Sequence, residues 1–105
     1  LDDTIVGCVA IYPYPEEQCA ELGCLFIKKS YEGHGYGRAM CRFVEETARN
    51  AGFDRIFAIS QSAVSYFRDR LKYAELPRSV LPAARRQQLE ESGRRSGVFG
   101  IRLNA

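Results

Sequence analysis

The sequence is poor in the residue types that hold metals. It has one histidine, His34, and its four cysteines, Cys8, Cys19, Cys24 and Cys41, form no Cys-x-x-Cys pair. No ligand set has the spacing of a zinc site, so no metal is expected, and reduced, partly buried thiols are. No apolar run approaches the roughly 20 residues that cross a bilayer. The first residues also lack the basic and apolar blocks of a secretory leader. Together these absences predict a cytoplasmic address and no membrane partner. An excess of one charge is missing too: 15 Lys and Arg against 13 Asp and Glu leave a net charge of +2. The surplus lies mostly in late arginines ("RDRLK", "ARR", "GRR"), too weak and scattered for a nucleic acid but suited to a small anion.

What is present suits one globular domain with a modest core: 105 residues, 46% apolar and 27% charged. "TIVGCVAIY" (Thr4 to Tyr12) is β-branched and apolar, and the proline-rich "PYPEEQ" breaks it. It predicts the first strand of a hairpin whose second strand is "AELGCLFIKK", Ala20 to Lys29. Simple alternation puts Leu22, Cys24 and Phe26 on one face and Glu21, Gly23, Leu25 and Ile27 on the other. In "GRAMCRFVEETARNAG", Met40, Phe43, Val44, Thr47 and Ala51 recur at helical spacing, and Gly52 is placed to end the helix. "FDRIFAIS" (Phe53 to Ser60) reads as a strand, "SAVSYFRDRL" as a short helix, "PAARRQQLEES" as a helix opened by Pro82, and "GVFGIRL" as a last strand. The predicted order is β-β-α-β-α-α-β, an α+β (α/β) chain.

Three glycines, Gly33, Gly35 and Gly37, crowd the stretch "YEGHGYGRAM" where the second strand gives way to the helix. Such a loop presents unshielded backbone N–H groups at the positive end of a helix, the make-up of a phosphate cradle. A flexible turn has the same composition, so the glycines alone leave both readings open. Two known cradles do not match. No Gly-Lys-Ser/Thr is present, and the loop follows a hairpin rather than opening a β-α-β unit with an acidic residue ~20 positions on.

The stretch "LFIKKSYEGHGYGRAM" resembles the acetyl-coenzyme A loop of the GNAT superfamily of N-acyltransferases. Gly35 and Gly37 fill its glycine positions, while Glu32 stands where Arg or Gln is usual and puts a carboxylate near the pyrophosphate. "CVAIYPYPEEQCAELGCLFI", "FAISQSAVSYF", "LPAARRQQL" and "GRRSGV" are similar, in order and nearly in spacing, to the C-terminal acetyltransferase domain of the bacterial N-acetylglutamate synthase family. "RDRLKY" (Arg68 to Tyr73) departs from the family's Arg-Gly-Phe turn and carries an extra residue. The resemblance implies a mixed, mostly antiparallel GNAT sheet with flanking helices, and acetyl-coenzyme A as co-substrate. It also implies acetyl transfer to the α-amine of L-glutamate, a step of arginine biosynthesis. Transfer to another small amine, or acetyl-coenzyme A binding without catalysis, are the alternatives.

The resemblance extends to single residues. Acyl transfer to an amine needs a base, and Glu21 matches the family's strand glutamate; the other reading is an ordinary strand-end carboxylate. Burial among apolar neighbours is the setting that makes a carboxylate more basic. The departing thiolate needs a proton donor. The tyrosine many superfamily members use falls at Phe67, with Tyr66 one residue early, so Ser60 is the candidate, although a serine ending a strand is also a common helix cap. Arg94, with Ser96 nearby, matches the position that grips the glutamate carboxylate with arginine's planar fork. A solvated basic turn is the alternative, and Arg94 and Arg95 are not distinguished. Cys24, Leu25, Phe26 and Ile27 are expected to offer backbone groups to the pantetheine arm. Gly33, His34, Gly35, Tyr36, Gly37 and Arg38 form the pyrophosphate loop, His34 and Tyr36 only lining it.

Family domains begin with a strand and two helices before the hairpin. Residues 1–105 therefore read as one acetyltransferase domain, N-terminally incomplete. An uncovered sheet edge beside "TIVGCVAIY" predicts self-association or docking on the rest of the same polypeptide.

Overall fold

The computed structural model describes residues 7–103. Five strands and two helices make up its regular structure: β1 (Gly7–Tyr14), β2 (Cys19–Ile27), α1 (Tyr36–Asn50), β3 (Arg55–Ser60), β4 (Ala74–Leu76), α2 (Ala83–Ser92) and β5 (Gly97–Arg102). The strands form one sheet in the order β1-β2-β3-β5-β4. All neighbours pair antiparallel except β2 with β3. This is the mixed, mostly antiparallel sheet that the family resemblance implies.

Alternation along β3 feeds two cores. Ile56 and Ala58 face a cluster with Ala20, Leu22, Cys41, Val44, Ala48 and Phe99, which seats α1. Phe57 faces the other way, with Cys19, Leu81, Leu89 and Val98, which seats α2. The sheet is therefore covered by a helix on each face.

Several boundaries differ from the sequence reading. The start of the first strand, residues 4–6, lies outside the described residues. Its end runs on through Pro13 to Tyr14, because β1 is an edge strand, where proline is tolerated. β3 begins at Arg55 rather than Phe53. The short strand β4 was not predicted; three residues are too few for a periodic signal. The short helix predicted from Ser62 to Leu71 is present over residues 64–70; it starts as α, with the Phe67 N–H on the Ala63 carbonyl at 3.1 Å, and turns π over Tyr66–Arg70, where the Leu71 N–H bonds the Tyr66 carbonyl at 3.1 Å. An inserted residue in a helical turn produces this geometry, in line with the extra residue read in "RDRLKY".

Helix α1 ends as expected. The Gly52 and Phe53 N–H groups reach back to the Arg49 and Ala48 carbonyls, both at 3.0 Å. Its inward face only partly matches the one the apolar spacing predicts, which shares Val44 with it. Cys41, Val44, Glu45 and Ala48 are buried, whereas Phe43 is 71% exposed and Thr47 is exposed. Glu45 can lie inside because Arg42 reaches both its oxygens at 2.9 and 2.7 Å and the Tyr73 hydroxyl donates to it at 2.8 Å. One polar partner from the same helix, Arg42, and one from a distant segment, Tyr73, override the hydrophobic pattern here.

Candidate functional site

The parallel pairing of β2 with β3 is short, covering Cys19–Glu21 against Arg55–Phe57. Beyond it β2 stays paired to β1 as far as Ile27, and β3 stays paired to β5 as far as Ser60. The two strands part, and the second half of β2 faces a gap that no described strand fills. A bulge lies in the same stretch. Cys24 sits at φ 52°, and the β1–β2 register slips from Cys8 opposite Phe26 to Ala10 opposite Gly23. The slip corrects the predicted alternation: Leu25 packs against the same core as Leu22, and no longer shares a face with Glu21. Cys24 is exposed, its sulfur 3.1 Å from the Tyr12 hydroxyl. Phe26 is exposed and Ile27 half-buried.

The glycine loop leads from this strand into α1. Gly33 and Gly35 stand at φ 82° and 81°, the left-handed region that side chains avoid. Gly35 caps the helix and accepts the Ala39 N–H at 3.0 Å. The first helical N–H groups, those of Tyr36, Gly37 and Arg38, have no acceptor within the helix and carry its positive end. The ring centroids of His34 and Tyr36 lie 5.8 Å apart, and those of Tyr31 and Tyr36 6.1 Å. Gly37 is needed for space: a Cβ there would lie 2.8 Å from the Tyr66 hydroxyl and 3.4 Å from Ile27 Cγ1. Glu32 is exposed. Phe67 is buried against Phe99 and Tyr73, and its neighbour Tyr66 is half-buried with its hydroxyl raised in pKa, mainly by burial.

A second feature lies beside α2. A cavity of about 650 Å³ is lined by Ser60, Arg85, Gln88, Leu89, Arg94 and Ser96, among others. Another of about 470 Å³ adjoins it, lined by Tyr12, Tyr14, Glu21, Cys24, Arg85 and Gln88 among others. Arg85 and Gln88 belong to both. Glu21 is 7% exposed, and Arg85 grips it through two parallel bonds, Nε to Oε1 at 2.8 Å and Nη2 to Oε2 at 3.2 Å. The hydrogen bond to Glu21 raises the Arg85 pKa against the desolvation that lowers it, so this guanidinium stays charged. Burial, helped by the Glu21 charge, raises the Tyr14 hydroxyl.

Ser60 Oγ accepts the Ala63 N–H at 2.9 Å. The bond ties down the bend that follows β3, since the next helix begins only at residue 64. It leaves the hydroxyl proton free to donate, so holding the bend and donating a proton do not compete. Of the two adjacent arginines, Arg94 lines the cavity and Arg95 does not. Arg94 is exposed, whereas Ser96 is buried. The structure sets Glu21, Ser60, Arg94 and Ser96, the candidates named from the sequence, on the walls of two adjoining cavities, together with Arg85, which the sequence reading did not single out. The signal for it was the burial of Glu21, since a buried carboxylate needs a partner. Among the described residues, no group of three His, Cys, Asp or Glu side chains is arranged to hold a metal ion, and no helix is long and apolar enough to cross a membrane.

Residues 1–73 match the family described as acetyltransferase (GNAT). The chain belongs to that family. It is 31% identical over 103 residues to the amino-acid acetyltransferase of Photorhabdus laumondii, covering 97% of this chain and 22% of that protein. To the amino-acid acetyltransferase of Neisseria meningitidis it is 29% identical, with 98% of this chain and 23% of that protein covered. N-acetylglutamate synthase from Neisseria gonorrhoeae, solved with coenzyme A and N-acetyl-glutamate, superposes with a TM-score of 0.93 at 28% identity. That match covers 100% of this chain and 24% of the synthase. The chain thus spans about a quarter of the length of these relatives.

Proposed function

We propose that this GNAT chain transfers the acetyl group of acetyl-coenzyme A to the α-amine of L-glutamate. One observation carries the reading: a buried carboxylate, Glu21, is gripped by an arginine at the junction of two cavities that also hold Ser60, Arg94 and Ser96. The similarity to synthases and amino-acid acetyltransferases supports the choice of acceptor.

The two cationic side chains of the larger cavity, Arg85 and Arg94, suit an acceptor that carries carboxylates. Glu21 takes the proton that the ammonium group must lose before its nitrogen attacks the thioester. Arg85 fixes the direction in which that carboxylate points. Ser60, held by the Ala63 N–H, donates a proton to the sulfur that leaves. On the coenzyme side, the pyrophosphate fits the open N–H groups from Gly33 to Arg38. The parted strand from Cys24 to Ile27 offers backbone groups to the pantetheine arm, and coenzyme A supplies the activated acyl group. Glu32, being exposed, stays in solvent. Release of free thiol from acetyl-coenzyme A in the presence of L-glutamate tests the reading. Turnover with another amine and none with glutamate would replace the acceptor, and coenzyme binding without any turnover would overturn catalysis.

This reading treats residues 1–105 as part of one cytoplasmic acetyltransferase domain. It also keeps the edge strand as an association surface. Cys8, Tyr12 and Pro13 of β1 and Phe26 of β2 are exposed, and no β1 residue is fully buried. Sedimentation at micromolar concentration should show a species larger than the monomer. A single monomer with a cooperative melt would refute it.

A further inference from the structure

Arg94 lines the cavity but makes no side-chain hydrogen bond among the described residues, so its place is set through its backbone. The segment 94–96 lies between α2 and β5, outside both. Two contacts hold it. The Ser92 hydroxyl donates to the Leu89 carbonyl at 2.6 Å and accepts the Arg94 N–H at 3.2 Å. From the other side a single nitrogen of Arg78, Nη2, donates to the Arg94 carbonyl at 2.8 Å and to the Ser96 carbonyl at 3.3 Å. Arg78 opens a one-turn 3₁₀ segment, Arg78–Val80. That segment is itself tied to α2 by Arg86 Nη1 donating to the Ser79 carbonyl at 3.4 Å.

We propose that Arg78 is a positioning residue that sets where Arg94 and Ser96 stand and thereby which acceptor length the cavity takes; the inference rests on the acceptor reading above. The two cations of the cavity differ in how they are held. Arg85 is fixed directly, by two bonds to a buried carboxylate. Arg94 hangs on a segment whose carbonyls Arg78 clamps. The span between the two guanidinium groups, and with it the match to a dicarboxylic amino acid of given length, follows the clamp.

The test uses steady-state kinetics with L-glutamate, L-aspartate and acetyl-coenzyme A on Arg78→Lys, Arg78→Met and Arg94→Lys, with melting temperatures alongside. Lysine keeps the charge of Arg78, but a flexible ammonium replaces the planar guanidinium that holds Nη2 between the two carbonyls. Both Arg78 variants should raise KM for glutamate about tenfold while KM for acetyl-coenzyme A stays within about twofold. The preference for glutamate over aspartate should fall. Combined with Arg94→Lys, Arg78→Lys should add nothing, because both changes act on one contact. Effects that multiply, or equal rises in both KM values, would overturn the proposal and leave Arg78 a support of the fold. If Arg94→Lys raises KM for glutamate and the Arg78 variants do not, the positioning role alone is lost. If Arg94→Lys leaves that KM unchanged, the acceptor reading fails and this proposal fails with it.

Discussion

The loop between β2 and α1 and the cavities beside α2 are built by opposite means. In the loop, the proposed coenzyme contact rests on backbone: glycines at positive φ expose N–H groups, and residues 32–36 are all exposed. In the cavities the proposed chemistry rests on side chains that other side chains or backbone groups hold, Glu21 by Arg85 and Ser60 by the Ala63 N–H. A site made of backbone tolerates most substitutions except those that alter its conformation. A site made of paired side chains fails when one partner is removed.

The largest effect should come from Glu21→Gln. The amide keeps the shape and one acceptor oxygen for Arg85 but takes up no proton from an ammonium group at neutral pH. Loss of a general base typically costs about 10²- to 10⁴-fold, so kcat for acetyl transfer to glutamate should fall within that range. Acetyl-coenzyme A affinity, measured by calorimetry, should hold. A comparable loss of coenzyme affinity would break the separation between the two regions.

A smaller effect is expected at the loop. Gly35→Val places a β-branched side chain at φ 81°, which costs about 1–3 kcal/mol of backbone strain or forces the loop into another conformation. Since nothing lies within 4 Å of a Cβ at this position, conformation and not crowding is at issue. Affinity for acetyl-coenzyme A should drop about tenfold, with KM for glutamate unchanged. Undiminished binding in this variant would remove the phosphate cradle and leave a flexible turn.

The same division explains what the sequence made visible. Gly33 and Gly35 announced a loop conformation that only glycine adopts readily, a local property that needs no knowledge of the fold. The sheet was legible for a related reason, since β-branched runs and their breakers are local signals. Arg85 was quoted as part of a motif yet had no visible role, because its partner lies 64 residues away and meets it only across the folded sheet. Arg78 had no signal at all: its contacts are carbonyl oxygens, which leave no trace in side-chain identity. The inward face of α1 was misread for the same cause. Glu45 was not among the residues the apolar spacing singled out, and Tyr73, which helps to satisfy it, belongs to a distant segment. The bulge at Cys24 broke the alternation as well; Gly23 beside it, a lone glycine inside a strand, was its local signal and was read as an ordinary strand position.

The smallest effect distinguishes the two faces of the sheet by pH. Under α1, Cys41 is fully buried, and burial pushes its thiol from 9.0 up to about 11, with the Glu45 charge adding and the Arg42 charge opposing. Tyr73 is raised still further, by burial first and by its hydrogen bond to Glu45 second. In the unfolded chain these groups titrate near their ordinary values. From about pH 9 to about 11, therefore, the unfolded chain gives up a proton at Cys41 that the folded chain keeps. The folded state binds more protons, so stability is full below that window and falls as pH rises through it. On the α2 face the Arg85 pKa is raised, so its pairing with Glu21 persists through the same range. Melting temperatures of the parent and of Cys41→Ala, recorded from about pH 8 to about 11, test this. The alanine variant should melt lower at neutral pH, having lost buried volume, but its decline across the window should be shallower by a few degrees. Parallel declines in the two proteins would show that the Cys41 proton is not what alkali removes.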